Sequence, residues 1–229
     1  SGLVGSEMCI RDRFSGMPGE IIRDYMDLFG PAKLPPKWAF GPWISANHWD
    51  SQEKVERAVA QAEEHGFPVC ALVAEAWSDE ATFYVFRGAR YVPKPNGGAF
   101  RLEDFDFSDS PWPDPAGMVQ RLHEKGIRFL LWQIPVYKKQ GPDEPLNAQN
   151  ELDQADAVAR GLCVHNADGS PYTIPEGYWF AGSMIPDFTN PAAEETWFSK
   201  RNYLTEMGID GFKTDGGEFI YREDVRLSL

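Results

Sequence analysis

Cysteine is scarce in this 229-residue chain: Cys9, Cys70 and Cys163 are too few and too scattered for a disulfide framework. That leaves the compartment open, with the cytoplasm fitting a chain that shows no secretory signal. The four histidines, His48, His65, His123 and His165, lack the spacing of a zinc-ligand set, and neither a metal nor an organic cofactor is expected. Positive charge is also short. Lys and Arg total 22 against 35 Asp and Glu, a net charge of -13, so phosphate backbones and anionic membranes are repelled. No nucleic-acid or membrane partner is expected. No uninterrupted apolar run approaches the roughly 20 residues that span a bilayer. Nor does a G-x-G-x-x-G follow the first strand, which removes the main support for a dinucleotide-binding fold. Residues 1–13, SGLVGSEMCIRDR, have no clear periodicity, and their arginines follow the apolar part. They read as a non-native leader, similar to translated sequencing-adapter sequence, and are set aside together with Cys9.

What is present is an ordinary apolar content, 42% hydrophobic and 14% aromatic, enough for a sizeable core. Residues 21–29 suit a short helix, and Pro31, Pro35 and Pro36 then force an extended linker, so 14–37 form one segment and 38–229 the body. A first strand is expected within 38–45. Asp50-Ser51-Gln52-Glu53 starts a helix whose apolar positions, Val55, Ala58, Val59 and Ala62, recur at helical spacing up to Gly66. The run at 67–76 (FPVCALVAEA) is of the kind buried on both faces of a parallel sheet. The pattern recurs from Asp114-Pro115 through Gly126 into a strand at 127–134, and from Asn190-Pro191 through one helix ending at Gly208. Its three junctions share a signature: Glu64-His65-Gly66-Phe67, Glu124-Lys125-Gly126-Ile127 and Glu206-Met207-Gly208-Ile209.

Strands alternating with helices require a parallel sheet, here α/β and best read as a (β/α)8 TIM barrel truncated after about the fourth strand. A closed barrel of this type needs about eight strands and about 250 residues. Strand carboxyl ends are where such folds do chemistry. That singles out Gly211-Phe212-Lys213-Thr214-Asp215-Gly216-Gly217-Glu218. Alternation puts Lys213 and Asp215 on one face and Phe212 and Thr214 on the other. The ammonium of Lys213 is expected to hold Asp215 ionised, Gly216 and Gly217 to let a ligand approach the backbone, and Glu218 to offer a second carboxylate. Alone, Asp215 reads more simply as the cap of a following helix.

Long connections follow the strands. The one after Ala76 carries Trp77, Tyr84, Phe86, Tyr91, Phe105 and Trp112; the next, over 135–189, contains a helix at 149–160 and a turn at Asp168-Gly169. Taken singly, these aromatics pack loops. As a group beside carboxylates they suit a sugar.

Four segments then carry a resemblance in chain order. The 211–218 motif resembles the nucleophile motif of glycoside hydrolase family 31, the α-glucosidase and α-xylosidase family. Pro186-Asp187-Phe188-Thr189-Asn190-Pro191 is similar to its segment before the helix leading into that strand. Trp112-Pro113-Asp114-Pro115-Ala116-Gly117-Met118 and Pro36-Lys37-Trp38-Ala39-Phe40-Gly41 resemble a helix start and the entry to the barrel. The resemblance implies an α-glycosidase acting on an oligosaccharide or α-glycoside with retention, through a covalent intermediate on Asp215. It implies that Lys213 touches sugar hydroxyls, and that Glu75 stands where the family usually has an aspartate gripping the sugar's non-reducing end. Trp132 matches a pocket-wall tryptophan. Glu218, Trp43 and Trp77 are further pocket candidates, while Asp187 reads chiefly as a turn residue. It also implies an acid/base aspartate after a later strand, so the 229 residues alone are expected to turn over little substrate. Two other readings stay open: a noncatalytic carbohydrate-binding relic, and a metal-dependent sugar isomerase or enolase-type barrel. Oligomeric state and the choice between hydrolysis and transglycosylation have no signature in the sequence.

Overall fold

Proline and glycine fix where the chain changes course. The computed structural model describes residues 13–228; the leader expected at 1–13 lies, but for Arg13, outside the described residues, as does Cys9. The chain divides into a unit ending at Phe40 and a unit beginning at Gly41. The first holds helix α1 (Pro18–Phe29), which Pro18 opens because its missing N–H is not needed there, and a 3-10 turn at Lys37–Phe40.

In the second unit the strands are β1 (Trp43–Ala46), β2 (Ala71–Ala74), β3 (Arg128–Gln133), β4 (His165–Asn166), β5 (Gly211–Thr214) and β6 (Val225–Arg226). The helices are α2 (Gln52–Glu64), α3 (Pro115–Glu124), α4 (Ala148–Ala159), α5 (Pro191–Ser199) and α6 (Asn202–Glu206). Strands β1, β2, β3 and β5 form one sheet in that order, and every pairing is parallel. This is the expected α/β arrangement. Strands β4 and β6 pair separately as an antiparallel ribbon. Residue by residue, β2 is wholly buried, and so is β3 from Phe129 onwards, whereas Lys213 and Thr214 at the end of β5 are exposed.

Capping explains the helix starts. Ser51, Asp114 and Asn190 accept hydrogen bonds from Lys54 N (3.4 Å), Gly117 N (3.0 Å) and Ala192 N (3.0 Å). The shared junction signature is a left-handed glycine. Gly66, Gly126 and Gly208 have φ of 65°, 75° and 107°, and the next amide reaches back five residues, Phe67 to Ala62, Ile127 to Leu122 and Ile209 to Leu204. A side chain at these positions would be strained. Gly161 repeats the device after α4, with Leu162 N bonded to Ala157 O at 2.8 Å.

Three expectations change. The strand expected within 38–45 begins only at Trp43, because Pro42 cannot donate to the ladder; its carbonyl instead accepts Cys70 N at 2.9 Å. The run at 67–76 is regular only at Ala71–Ala74, since Pro68 has no N–H and Glu75 and Ala76 turn into a cleft. The single helix expected from Asn190 to Gly208 is two, broken at Lys200 and Arg201. Both basic side chains turn inwards and are nearly inaccessible, at 2% and 3%. Lys200 Nζ meets Asp153 Oδ1 at 2.7 Å, where Tyr84 and Gln149 also donate to the carboxylate. Arg201 Nε donates to Gln133 Oε1 at 2.7 Å, its guanidinium lies over the Trp197 ring, and burial pushes it down to about 10.

A buried ion pair is costly to break because the surviving charge keeps no counterion. Lys200→Met is therefore expected to lower the unfolding free energy by about 3 kcal/mol in urea titrations. A loss under about 1 kcal/mol would show that Tyr84 and Gln149 suffice to hold Asp153.

Candidate active site

The parallel register brings the site together. Trp132 on β3 lies opposite Lys213 on β5, and the amide of Asp215, one residue past β5, donates to the Gln133 carbonyl at 2.9 Å. Asp215 thus leaves the sheet held by its backbone, beside the indole of Trp132. The Trp132 Nε1–H donates to Asp215 Oδ2 at 2.8 Å, and Gly216 N donates to Oδ1 at 2.9 Å. No helix begins after Asp215 among the described residues, so its carboxylate is not acting as a helix cap there.

Asp215, Trp132, Lys213 and Glu75 line one cleft of about 500 Å³, together with Asn47, Ala76, Glu80, Trp179 and Phe180. Phe212 and Thr214 line a different, more apolar hollow, as strand alternation requires, and Asp215 borders both. Glu75 is not free in the cleft. Its Oε1 accepts both Ser45 Oγ at 2.6 Å and Lys213 Nζ at 2.9 Å, so an ion pair and a place in the cleft wall coincide in one residue.

This corrects the electrostatic expectation for Asp215. Its carboxyl is held below the ordinary carboxylate range first by the Trp132 indole N–H and next by the Gly216 amide; burial opposes them, and the Lys213 charge adds a smaller lowering. The ammonium is committed to Glu75, which leaves a neutral donor as the main support of the anion.

The other candidates separate. Glu218 is exposed and lies outside the cleft. Trp77 is fully buried beneath it, with Nε1 donating to the Trp132 carbonyl at 2.9 Å, and Trp43 on β1 does not line it. The space spared at Gly216 (φ 67°) is taken by Phe219, whose ring would collide with an added Cβ, rather than left for a ligand. Asp187 is a turn residue that also anchors a distant backbone amide. It accepts from Thr189 and from Ser228 N at 2.7 Å, bonds that outweigh burial and keep its carboxyl lowered. Tyr84, Phe86, Phe105 and Trp112 are core residues.

Ser45, Asn47, Glu80, Trp179 and Phe180 are cleft or cleft-supporting residues that sequence reasoning missed. Trp179 had a signal, an aromatic triplet Tyr178-Trp179-Phe180 between Gly177 and Gly182, and its ring is half exposed over the cleft. Ser45 had none, since its contact with Glu75 appears only once β1 and β2 are in register. Among the described residues no group of three or more His, Cys, Asp or Glu is arranged to hold a metal ion, and no helix is long and apolar enough to cross a membrane.

A carboxylate cleft at the carboxyl ends of parallel strands is the active-site position of α/β barrel enzymes. The chain belongs to glycosyl hydrolases family 31: residues 32–226 match the family's TIM-barrel domain. The isomerase and enolase-type readings fall with that membership. The chain is 44% identical over 203 residues to an isomaltosyltransferase of Sporosarcina globispora, covering 88% of this chain and 18% of that protein. It is 38% identical to a 1,3-alpha-isomaltosidase of Kribbella flavida, over 93% of this chain and 29% of that protein. The structure of a cycloalternan-degrading enzyme from Trueperella pyogenes, in complex with a covalent intermediate, superposes with a TM-score of 0.86 at 41% identity, covering 94% of this chain and 29% of that one. The chain therefore spans less than a third of the length of each of these relatives.

If the Trp132 donor sets the charge of Asp215, then Trp132→Phe should raise the Asp215 pKa. The acid limb of kcat/KM in the full-length protein should then move to higher pH. At neutral pH, where Asp215 is ionised with or without the donor, kcat/KM should change less than on the acid limb. An unmoved acid limb would assign the charge to other groups.

Proposed function

We propose that the chain carries the nucleophile side of a retaining α-glycosidase active site, acting on α-linked oligosaccharides. The observation that carries this reading is Asp215, kept ionised by a neutral donor at a strand end and facing a cleft wide enough for a sugar. A retaining glycosidase requires an ionised carboxylate within reach of the anomeric carbon and a protonated carboxyl about 5 Å away. In the first step an Asp215 oxygen bonds to the anomeric carbon, the glycosidic C–O bond breaks, and the departing oxygen takes the proton of the acid. Water or an acceptor hydroxyl then attacks that carbon, gives its proton to the same group, and releases Asp215.

Glu75 is engaged by Ser45 and Lys213, which suits it to hold sugar hydroxyls with the lysine rather than to cycle a proton. The acid is assigned to another strand end of the same (β/α)8 barrel. The half-exposed face of Trp179 offers a platform for a C–H face of the sugar. No cofactor enters, since two carboxyls and water complete the reaction. The relatives named for isomaltosyl transfer and isomaltoside hydrolysis support an α-glucosyl substrate, and the covalent intermediate in the Trueperella pyogenes enzyme supports retention.

Replacing the nucleophile tests this. Asp215→Ala in the full-length protein is expected to lower kcat on an aryl α-glucoside by about 10⁴-fold or more. Added azide should restore turnover through the vacated face and yield the β-glycosyl azide. Retained activity without azide would remove Asp215 from the mechanism.

A further inference from the structure

Residues 77–86 form a hairpin that meets Trp132 twice. Asp79 N donates to Val85 O and Arg87 N to Trp77 O, each at 2.9 Å, and these bonds close it. At its base Trp77 Nε1 donates to the Trp132 carbonyl, and in its loop the Phe83 ring meets the Trp132 indole edge-on at 5.6 Å. Phe83 is fully buried, so where its ring sits follows from the shape of the loop that carries it.

That shape does not come easily to the backbone. Glu80 and Phe83 have φ of 59° and 58°, left-handed values that non-glycine residues keep only where their surroundings over-determine them. Here one side chain does much of the determining. Asp79 Oδ1 accepts the successive amides of Ala81, Thr82 and Phe83 at 3.2, 2.9 and 3.3 Å, and Thr82 Oγ1 donates to the same oxygen at 3.0 Å. Asp79 Oδ2 accepts Asn147 Nδ2 at 2.9 Å, and Asn147 also caps α4, so the hairpin is tied to the connection that follows β3. Asp79 itself does not line the Asp215 cleft.

We propose that Asp79 is a positioning residue for the nucleophile: by gathering the amides of residues 81–83 it seats Phe83 against the indole of Trp132, and so keeps the Trp132 N–H aimed at Asp215. The path has three contacts, Asp79 to the Phe83 amide, Phe83 to the indole, and the indole to the carboxylate. This deepens the α-glycosidase reading and rests on it, because it serves the carboxylate which that reading makes the nucleophile.

Other ionisable groups face the two carboxyls. Lys213, Glu75 and Glu80 share the cleft with Asp215; Glu80, Arg87, Lys138 and Glu144 border the cavity beside Asp79, and the phenols of Tyr84, Tyr91 and Tyr203 feel its charge. A shift caused by any of these would survive loss of the indole. Removing the Asp79 charge would by itself ease ionisation of Asp215, the opposite of what loosening the indole does.

The test reads the acid limb of kcat/KM on 4-nitrophenyl α-glucoside in the full-length protein, for Asp79→Ala and Asp79→Asn, each alone and combined with Trp132→Phe. Asp79→Ala should move the limb up by about half a pH unit, less than Trp132→Phe does, because a hydrogen bond to a charged group is weakened and not removed. Asp79→Asn keeps an oxygen for the three amides and loses the acceptor for Asn147, so it should restore most of the wild-type profile. Combined with Trp132→Phe, neither should move the limb further. Should the alanine variant fail to fold, Asp79→Ser, a milder loss that keeps one acceptor oxygen, takes its place with the same outcomes. An unmoved limb, a shift to lower pH, or an equal shift with and without the indole would overturn the assignment and leave the α-glycosidase reading standing. A wild type inert on the glucoside would overturn the two together.

Discussion

The cleft depends on one hydrogen bond, from the indole N–H of Trp132 to the carboxylate of Asp215, 2.8 Å across the β3–β5 pair. A neutral donor stabilises the anion without closing a salt bridge over either oxygen, as the nucleophile role proposed for Asp215 requires. The bond exists because the register sets Trp132 opposite Lys213 and lets the Asp215 amide bind the Gln133 carbonyl. Several contacts then restrict the indole. Trp77 donates to the Trp132 carbonyl, and the Phe83 ring packs edge-on against it at 5.6 Å. Phe83 is itself held in a left-handed conformation, with its carbonyl taken by Gln133 Nε2, whose amide oxygen is taken by Arg201. The break between α5 and α6, which looks like a local irregularity, turns Arg201 inwards and so buttresses the wall of the cleft.

With Trp132 supporting the anion, Lys213 is released to pair elsewhere. Its ammonium, Glu75 and Ser45 form a small polar network across β1, β2 and β5, tying together strands whose ends must stay aligned for the cleft to keep its shape. Lone pairs on Glu75 and protons on Lys213 remain for the sugar hydroxyls of the proposed function. Lys213 therefore contributes only a minor part of the Asp215 charge stabilisation, although strand alternation puts the two side chains on the same face.

Much of this was legible in the chain because glycine and proline act locally. The left-handed glycines at 66, 126 and 208, the Asp114-Pro115 and Asn190-Pro191 helix starts and the buried β2 run are each decided within a few residues, and their order specifies a parallel sheet. That Asp215, Lys213, Glu75 and Trp132 share one cleft was readable for a related reason, as they sit on strands or at strand ends. What escaped depends on distant residues. That Lys213 would choose Glu75 over Asp215 is decided by a partner 138 positions away in the chain, and the inward turn of Lys200 and Arg201 by Asp153 and Gln133. Gly216 looked like room for a ligand until Phe219 folded back on it. The aromatics of the loop after β2 mostly fill the core, whereas Tyr178 and Trp179, which lie in the next connection, are half exposed.

The account stands or falls on whether Asp215 bonds covalently to sugar. The direct measurement is to inactivate the full-length protein with 5-fluoro-α-glucosyl fluoride, digest it, and map the modified peptide by mass spectrometry. The account predicts one glycosyl group, on the peptide spanning 211–218 and localised to Asp215. A sugar carried by any other residue, or steady turnover of the fluoride with no adduct at Asp215, would contradict it.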